Sequence, residues 1–179
     1  MDFILDMAIK FWPMTVFIIL VIIGSIINLF DRKINNRVNF KYTDYPHMKP
    51  IRIATKGKGF WGAIILWFFG TRHWEVVKDF NYSLDGKQYI IPKGFKFDGA
   101  SVPKFLAQFL SPVGLLLIGG LVHDYGYKYE TLLLKSKKTI GVKSQKWMDE
   151  TFRDINIEVN GFYLLNYLAY WALRIGGFV

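Results

Sequence analysis

From Phe11 to Phe30 the chain runs twenty residues, FWPMTVFIILVIIGSIINLF, without a charge, bracketed by Lys10 and Asp31. Few features restrict a fold as strongly. A helix of that length measures about 30 Å, the thickness of a bilayer's hydrocarbon core, and a buried core helix seldom needs so many apolar residues in succession. The expectation is a transmembrane helix within an N-terminal anchor, residues 1–30. A cleaved signal peptide fits less well, because MDFILDMAIK carries two acids and no small-x-small site follows the run. One basic side chain, Lys10, precedes the span and four, Arg32, Lys33, Arg37 and Lys41, follow it closely. The positive-inside rule then puts the C-terminal body in the cytoplasm and makes the chain a single-pass membrane protein.

Composition agrees with a lipid partner. Of 179 residues, 52% are hydrophobic and 18% aromatic, with a formal net charge of +9, more apolar and more basic than most water-soluble domains. The same basicity suits nucleic acid. Zinc-finger spacing, a base-reading basic helix and a dense basic cluster are all missing, so nucleic acid ranks well below lipid as a partner. There is no cysteine, which excludes both a disulfide framework and a thiolate metal site. The length leaves room for one domain with an appendage.

Residues 31–58 are polar and turn-rich and read as a linker into a body at 59–179. GFWGAIILWFFG, Gly59 to Gly70, is too short to span and reads either as a buried element or as one lying at an interface. WEVVKDFNYSL has the β-branched and aromatic content of a strand; Asp85-Gly86 is a hairpin turn and KQYIIP a returning strand. PKGFKFDGASVP is rich in Gly and Pro and predicts a shaped loop. Helical patterns follow: KFLAQFL, Leu115 to about Glu130, then KWMDETFRDINIEV with its stripe of Trp147, Met148, Phe152, Ile155 and Val159, and finally YLLNYLAYWALRI. The fold class expected is mainly α with a small β-hairpin, an N-terminal transmembrane helix and a compact helical core.

The chemistry concentrates in GGLVHDYGYKYE. On a helix, His123 and Tyr127 share a face, and Asp124 is turned about 100° from His123. A histidine beside an apolar surface serves as a general base near neutral pH if a carboxylate fixes its tautomer. Asp149, on or beside the apolar stripe of the next helix, is the best placed to do that. Asp124 is then free for a hard cation, and calcium takes carboxylate and carbonyl oxygens together; FDGAS, with Gly99 freeing the backbone, is an apt source of carbonyls. A His-Asp dipeptide is also commonly a surface pair or a satisfied core histidine, and Asp149 also reads as an acid near a helix N-terminus. His47 and His73 have no constellation around them and read as non-catalytic.

HDYGYKYE, then MDETFRDI, then YLAYWALRIGG resembles the prokaryotic secreted phospholipase A2 family in letters and in spacing. That resemblance implies a phospholipase A2-like helical core and a calcium-dependent hydrolase of glycerophospholipid acyl esters. His123 would activate water, Asp149 would orient it, and Asp124 with the carbonyls of Asp98 and Gly99 would hold Ca2+; Tyr127 supports the site. The secreted phospholipases carry disulfides, which this chain lacks. A closer resemblance, covering the C-terminal half, is to an uncharacterised domain family common in bacteriophage genomes, with P-x-G-F-x-x-D-x-A-S-x-P, HDYxY and D-x-x-F at Pro92–Pro103, His123–Tyr127 and Asp149–Phe152. It implies a phage-related protein, with the bilayer, phospholipid and other phage proteins as partners. Beside the enzyme stand two other readings: a phage membrane or virion protein that uses the same fold for assembly without catalysis, and a lysis-associated or superinfection-blocking membrane protein.

Overall fold

The turn at Asp85 and Gly86 organises the β structure. Both residues take left-handed backbone angles, φ 50° and 79°, which match the twist of a two-residue hairpin and suit Asp-Gly. The computed structural model describes residues 38–69, 73–98 and 114–176, with scattered positions between 10 and 26. In chain order its elements are β1 (Phe40–Tyr42), β2 (Met48–Pro50), α1 (Gly59–Phe69), β3 (Trp74–Val76), β4 (Phe80–Leu84), β5 (Lys87–Ile91), β6 (Lys96–Phe97), α2 (Leu117–Tyr129), β7 (Thr131–Leu133), β8 (Thr139–Gly141), α3 (Gln145–Asn160) and α4 (Tyr163–Gly176).

Three antiparallel sheets result, β1-β4-β5, β2-β3-β6 and β7-β8. The mainly α expectation is therefore corrected: among the described residues four helices accompany eight strands. The single strand expected over Trp74–Leu84 is two, because the chain breaks at Val77–Asp79 and passes from one sheet to another. At the break the Asp79 carboxylate accepts from the Lys93 backbone N–H at 2.7 Å, a side-chain bond across the hairpin just beyond the last ladder pair, Phe80↔Ile91. Within β4 the side chains of Phe80, Tyr82 and Leu84 point inward, alternating with Asn81 and Ser83. Tyr82 stacks on Tyr89, its partner across the hairpin, at 5.3 Å between ring centres.

Residues 31–58, expected as a linker, supply β1 and β2. β1 pairs with β4 from Phe40↔Leu84 to Tyr42↔Tyr82, and β2 pairs with β3. Segments this short acquire strand conformation only through partners distant in sequence.

The expected transmembrane helix is also corrected. Among the described residues no helix is long and apolar enough to cross a membrane, so the single-pass assignment, and the cytoplasmic placement that depended on it, do not stand. Much of Phe11–Phe30 lies outside the described residues, as does the expected KFLAQFL helix. Helix α1 resolves the alternatives for Gly59–Gly70 against burial: Phe60 and Trp61 are 73% and 74% exposed.

The core sits between the strands and α2, whose Leu117, Ile118, Leu121, Val122 and Tyr125 are all buried. Helix α3 crosses α2 with Asn156 against Gly119 and Met148 against Gly126; successive contacts move in opposite directions along the two sequences, so the helices run antiparallel. Ser144 caps α3 by accepting from the Trp147 N–H at 3.1 Å, and Gly161 ends it at φ 66°, donating to the Ile157 carbonyl. Its buried face carries Met148, Phe152 and Ile155, the 3.6-residue stripe read from sequence; truncating any of them to Ala costs about 2–5 kcal/mol. Helix α4 closes the far side, where Leu173 and Ala169 meet Phe152 and Leu116.

Candidate active site

The antiparallel crossing of α2 and α3 puts His123 opposite Asp149. The imidazole Nε2–H donates to Asp149 Oδ1 at 2.8 Å, with 4% of the histidine and 1% of the aspartate exposed. A buried carboxylate is strongly unfavourable unless it is paired on both oxygens. Its second oxygen, Oδ2, accepts from Arg174 Nη1 of α4 at 3.0 Å. The imidazole is held on its other sides by rings: Tyr127, one helical turn on, stacks at 4.7 Å, and Phe152 meets it edge-on at 5.6 Å. Four residues from three helices therefore fix one histidine.

Asp124 lies closer to the imidazole than its helical position suggests. Its side chain folds back so that Oδ1 is 3.4 Å from His123 Nδ1. With Nε2 carrying the proton given to Asp149, a neutral imidazole offers only a lone pair at Nδ1, and a carboxylate there would also be an acceptor. The contact requires a positive element, either a proton shared by the two atoms or a cation on Asp124. The acid–base balance of the pair reflects this. Burial pushes the Asp124 carboxyl up to about 6, aided by the charge of Asp98 and opposed by the bond to His123. Burial pulls the His123 imidazole down, but the hydrogen bonds and charges of Asp124 and Asp149 outweigh it and hold the imidazole above its ordinary value.

The other oxygen of Asp124, Oδ2, is buried and has no hydrogen-bond partner among the described residues. A buried carboxylate oxygen of this kind, with Asp98 within electrostatic range, is a hard donor and suits calcium. Among the described residues no group of three or more His, Cys, Asp or Glu side chains is placed to hold a metal ion, so a cation here would depend on backbone carbonyls for its remaining ligands. Asp98 follows β6; Gly99, the other expected carbonyl donor, lies outside the described residues.

The structure thus brings together His123, Asp124, Tyr127 and Asp149. Sequence reasoning missed Arg174 and Asn156. Arg174 is the sole charged residue of YLLNYLAYWALRIG, which was a usable signal: a cation at the end of an apolar helix needs an anion. Asn156 is fully buried and accepts from the Gly119 N–H at 3.0 Å, fixing the crossing that aligns His123 with Asp149. His47 stands apart, in an exposed cluster where Asp44 accepts from both His47 and Lys78 at 3.1 Å.

A family model matches residues 74–173, from β3 into α4. The chain belongs to the family described as protein of unknown function (DUF1353). The matched segment of this DUF1353 protein contains His123, Asp124, Tyr127, Asp149 and Asp98, and it excludes β1, β2 and α1. The expected domain of unknown function is therefore present. No curated protein and no solved structure matches the chain.

Proposed function

We propose that this protein is a calcium-dependent hydrolase of phospholipase A2 type that cuts an acyl ester of a glycerophospholipid, and that it is of phage origin. One arrangement carries the reading: an imidazole tied through Nε2 to a buried carboxylate, with its other nitrogen facing an aspartate whose second oxygen has no partner among the described residues. Asp149 keeps the proton on Nε2, so Nδ1 is the atom that accepts a proton from water, and both carboxylates steady the imidazolium that forms. Calcium, held by Asp124 with the carbonyls of Asp98 and Gly99, would supply positive charge where the ester oxygen becomes anionic. Tyr127 keeps the ring from tilting. The phage origin is supported by the phage-type pattern from Pro92 to Phe152 in the same segment.

A second reading is a phage virion assembly protein in which the same network is purely structural. It is favoured by the enclosure of the site, since His123 is only 4% exposed. Release of fatty acid from a short-chain phosphatidylcholine separates the two. The hydrolase reading expects release with calcium, none with chelator, none from His123→Ala or Asp124→Asn, and a large reduction in Asp149→Ala. Equal release from wild type and His123→Ala would leave the assembly reading.

A further inference from the structure

Asp149 divides its two oxygens between an imidazole and a guanidinium. Oδ1 takes the His123 Nε2–H at 2.8 Å and Oδ2 takes Arg174 Nη1 at 3.0 Å. We infer that Arg174 is a positioning residue, acting through Asp149 to hold His123 in the Nε2–H tautomer; its consequence for rate rests on the hydrolase reading above.

Asp149 is 1% exposed, and an imidazole alone would leave one of its oxygens bare in a low-dielectric interior. Such a carboxylate can rotate, exchange which oxygen meets the ring, or draw a proton onto itself. Each of these loosens the hold on Nε2. A guanidinium remains charged throughout the working pH range and donates from a rigid plane, so anchoring Oδ2 leaves Oδ1 aimed at the ring in one orientation. The Arg174 side chain, 23% exposed, reaches in from the last turn of α4 while its charge stays partly solvated, which limits the desolvation cost. Tyr127, which stacks on His123, lies within electrostatic range of both Arg174 and Asp149. The cation, the carboxylate, the imidazole and the phenol therefore form one connected group drawn from α4, α3 and α2.

A basic residue in the last turn of a helix also has a purely local role, stabilising the C-terminal end of the helix dipole. That alternative makes no demand on His123, and this difference defines the test. With histidine labelled in ¹⁵N and chelator present, the Nε2–H of His123 should give a downfield, slowly exchanging NMR signal, assigned by its loss in His123→Asn. Arg174→Met should remove or strongly broaden that signal, and Arg174→Lys should retain it. In the calcium-dependent lipid assay, Arg174→Met should lower kcat by about 10–100-fold with KM changed less than about twofold, and Arg174→Lys should recover most of kcat. Arg174→Gln, which keeps a donor and drops the charge, replaces Arg174→Met if near-UV circular dichroism shows the latter unfolded, with the same outcomes. A protected Nε2–H signal unchanged in a folded, uncharged variant would overturn the inference, as would unchanged kcat. If wild type releases no fatty acid, the hydrolase reading fails, and the NMR signal alone decides the role of Arg174.

Discussion

Replacing Asp124 by Asn should make the metal-free protein more stable and abolish its calcium response. Burial raises the folded-state carboxyl from 3.8 to about 6. The folded protein thus holds this proton more tightly than the unfolded chain, and ionising Asp124 works against folding. The penalty is absent below about pH 4, grows as pH rises through the folded value near 6, and is constant above it. A difference of about 2 pKa units at about 1.4 kcal/mol each gives an upper figure of about 3 kcal/mol. Asn has the same shape, stays uncharged and keeps a polar group beside His123 Nδ1, so Asp124→Asn should recover about 2–3 kcal/mol at pH 8. In urea titrations with chelator, that moves the midpoint up by about 1 M for an m value near 2 kcal/mol/M. On the proposed site, calcium at about a hundred times its Kd returns about 2.7 kcal/mol to wild type and nothing to the variant. The reasoning is refuted if Asp124→Asn is no more stable than wild type at pH 8 in chelator, or if its advantage is undiminished at pH 4.

Because Asp124 and Asp149 hold the His123 imidazole above 6.5 against the pull of burial, its protonation contributes stability that is complete below pH 6.5 and lost as pH rises through the folded value; an NMR titration of its ring protons should give a midpoint above 6.5, and Asp149→Asn should lower it. Gly119→Ala should cost about 3 kcal/mol, since the new methyl would come within 2.6 Å of Asn156 Cγ and 2.7 Å of Oδ1, displacing a buried amide that bonds to this backbone. Gly126→Ala meets the thioether end of Met148 at 2.7 Å and Leu132 Cδ2 at 3.4 Å; the flexible thioether can shift, so denaturant unfolding should show a loss of about 1 kcal/mol.

The site was more legible than the fold, for a physical reason. His123 and Asp149 sit on helices whose faces follow from a 3.6-residue period, and an acid embedded in the stripe of Met148, Phe152 and Ile155 announces that something inside the protein needs it. Arg174 lies 25 residues beyond Asp149, and only the packing of α4 against α3 reveals that they meet. Strands β1, β2, β7 and β8 have three residues each, too few for alternation to register; β1 and β2 exist because distant partners supply their hydrogen bonds, and β7 and β8 pair with each other across a short turn. The turn between β7 and β8 has Lys137 at φ 63°, where no Gly or Asn marks it. The hairpin at Asp85-Gly86 was legible because those two residue types accept the required angles. For Phe11–Phe30, hydropathy measured the composition of a window; a crossing needs a continuous helix of sufficient length, which the described residues do not provide.

The central claim is that His123, oriented by Asp149, activates water for attack on an acyl ester. Turnover of phosphatidylcholine in H₂¹⁸O with calcium, followed by mass spectrometry of the released fatty acid, reads that step directly. Wild type should yield fatty acid carrying one ¹⁸O in its carboxyl group, and His123→Ala should yield none above the rate without protein. Unlabelled product, or equal labelled product from His123→Ala, would contradict the account.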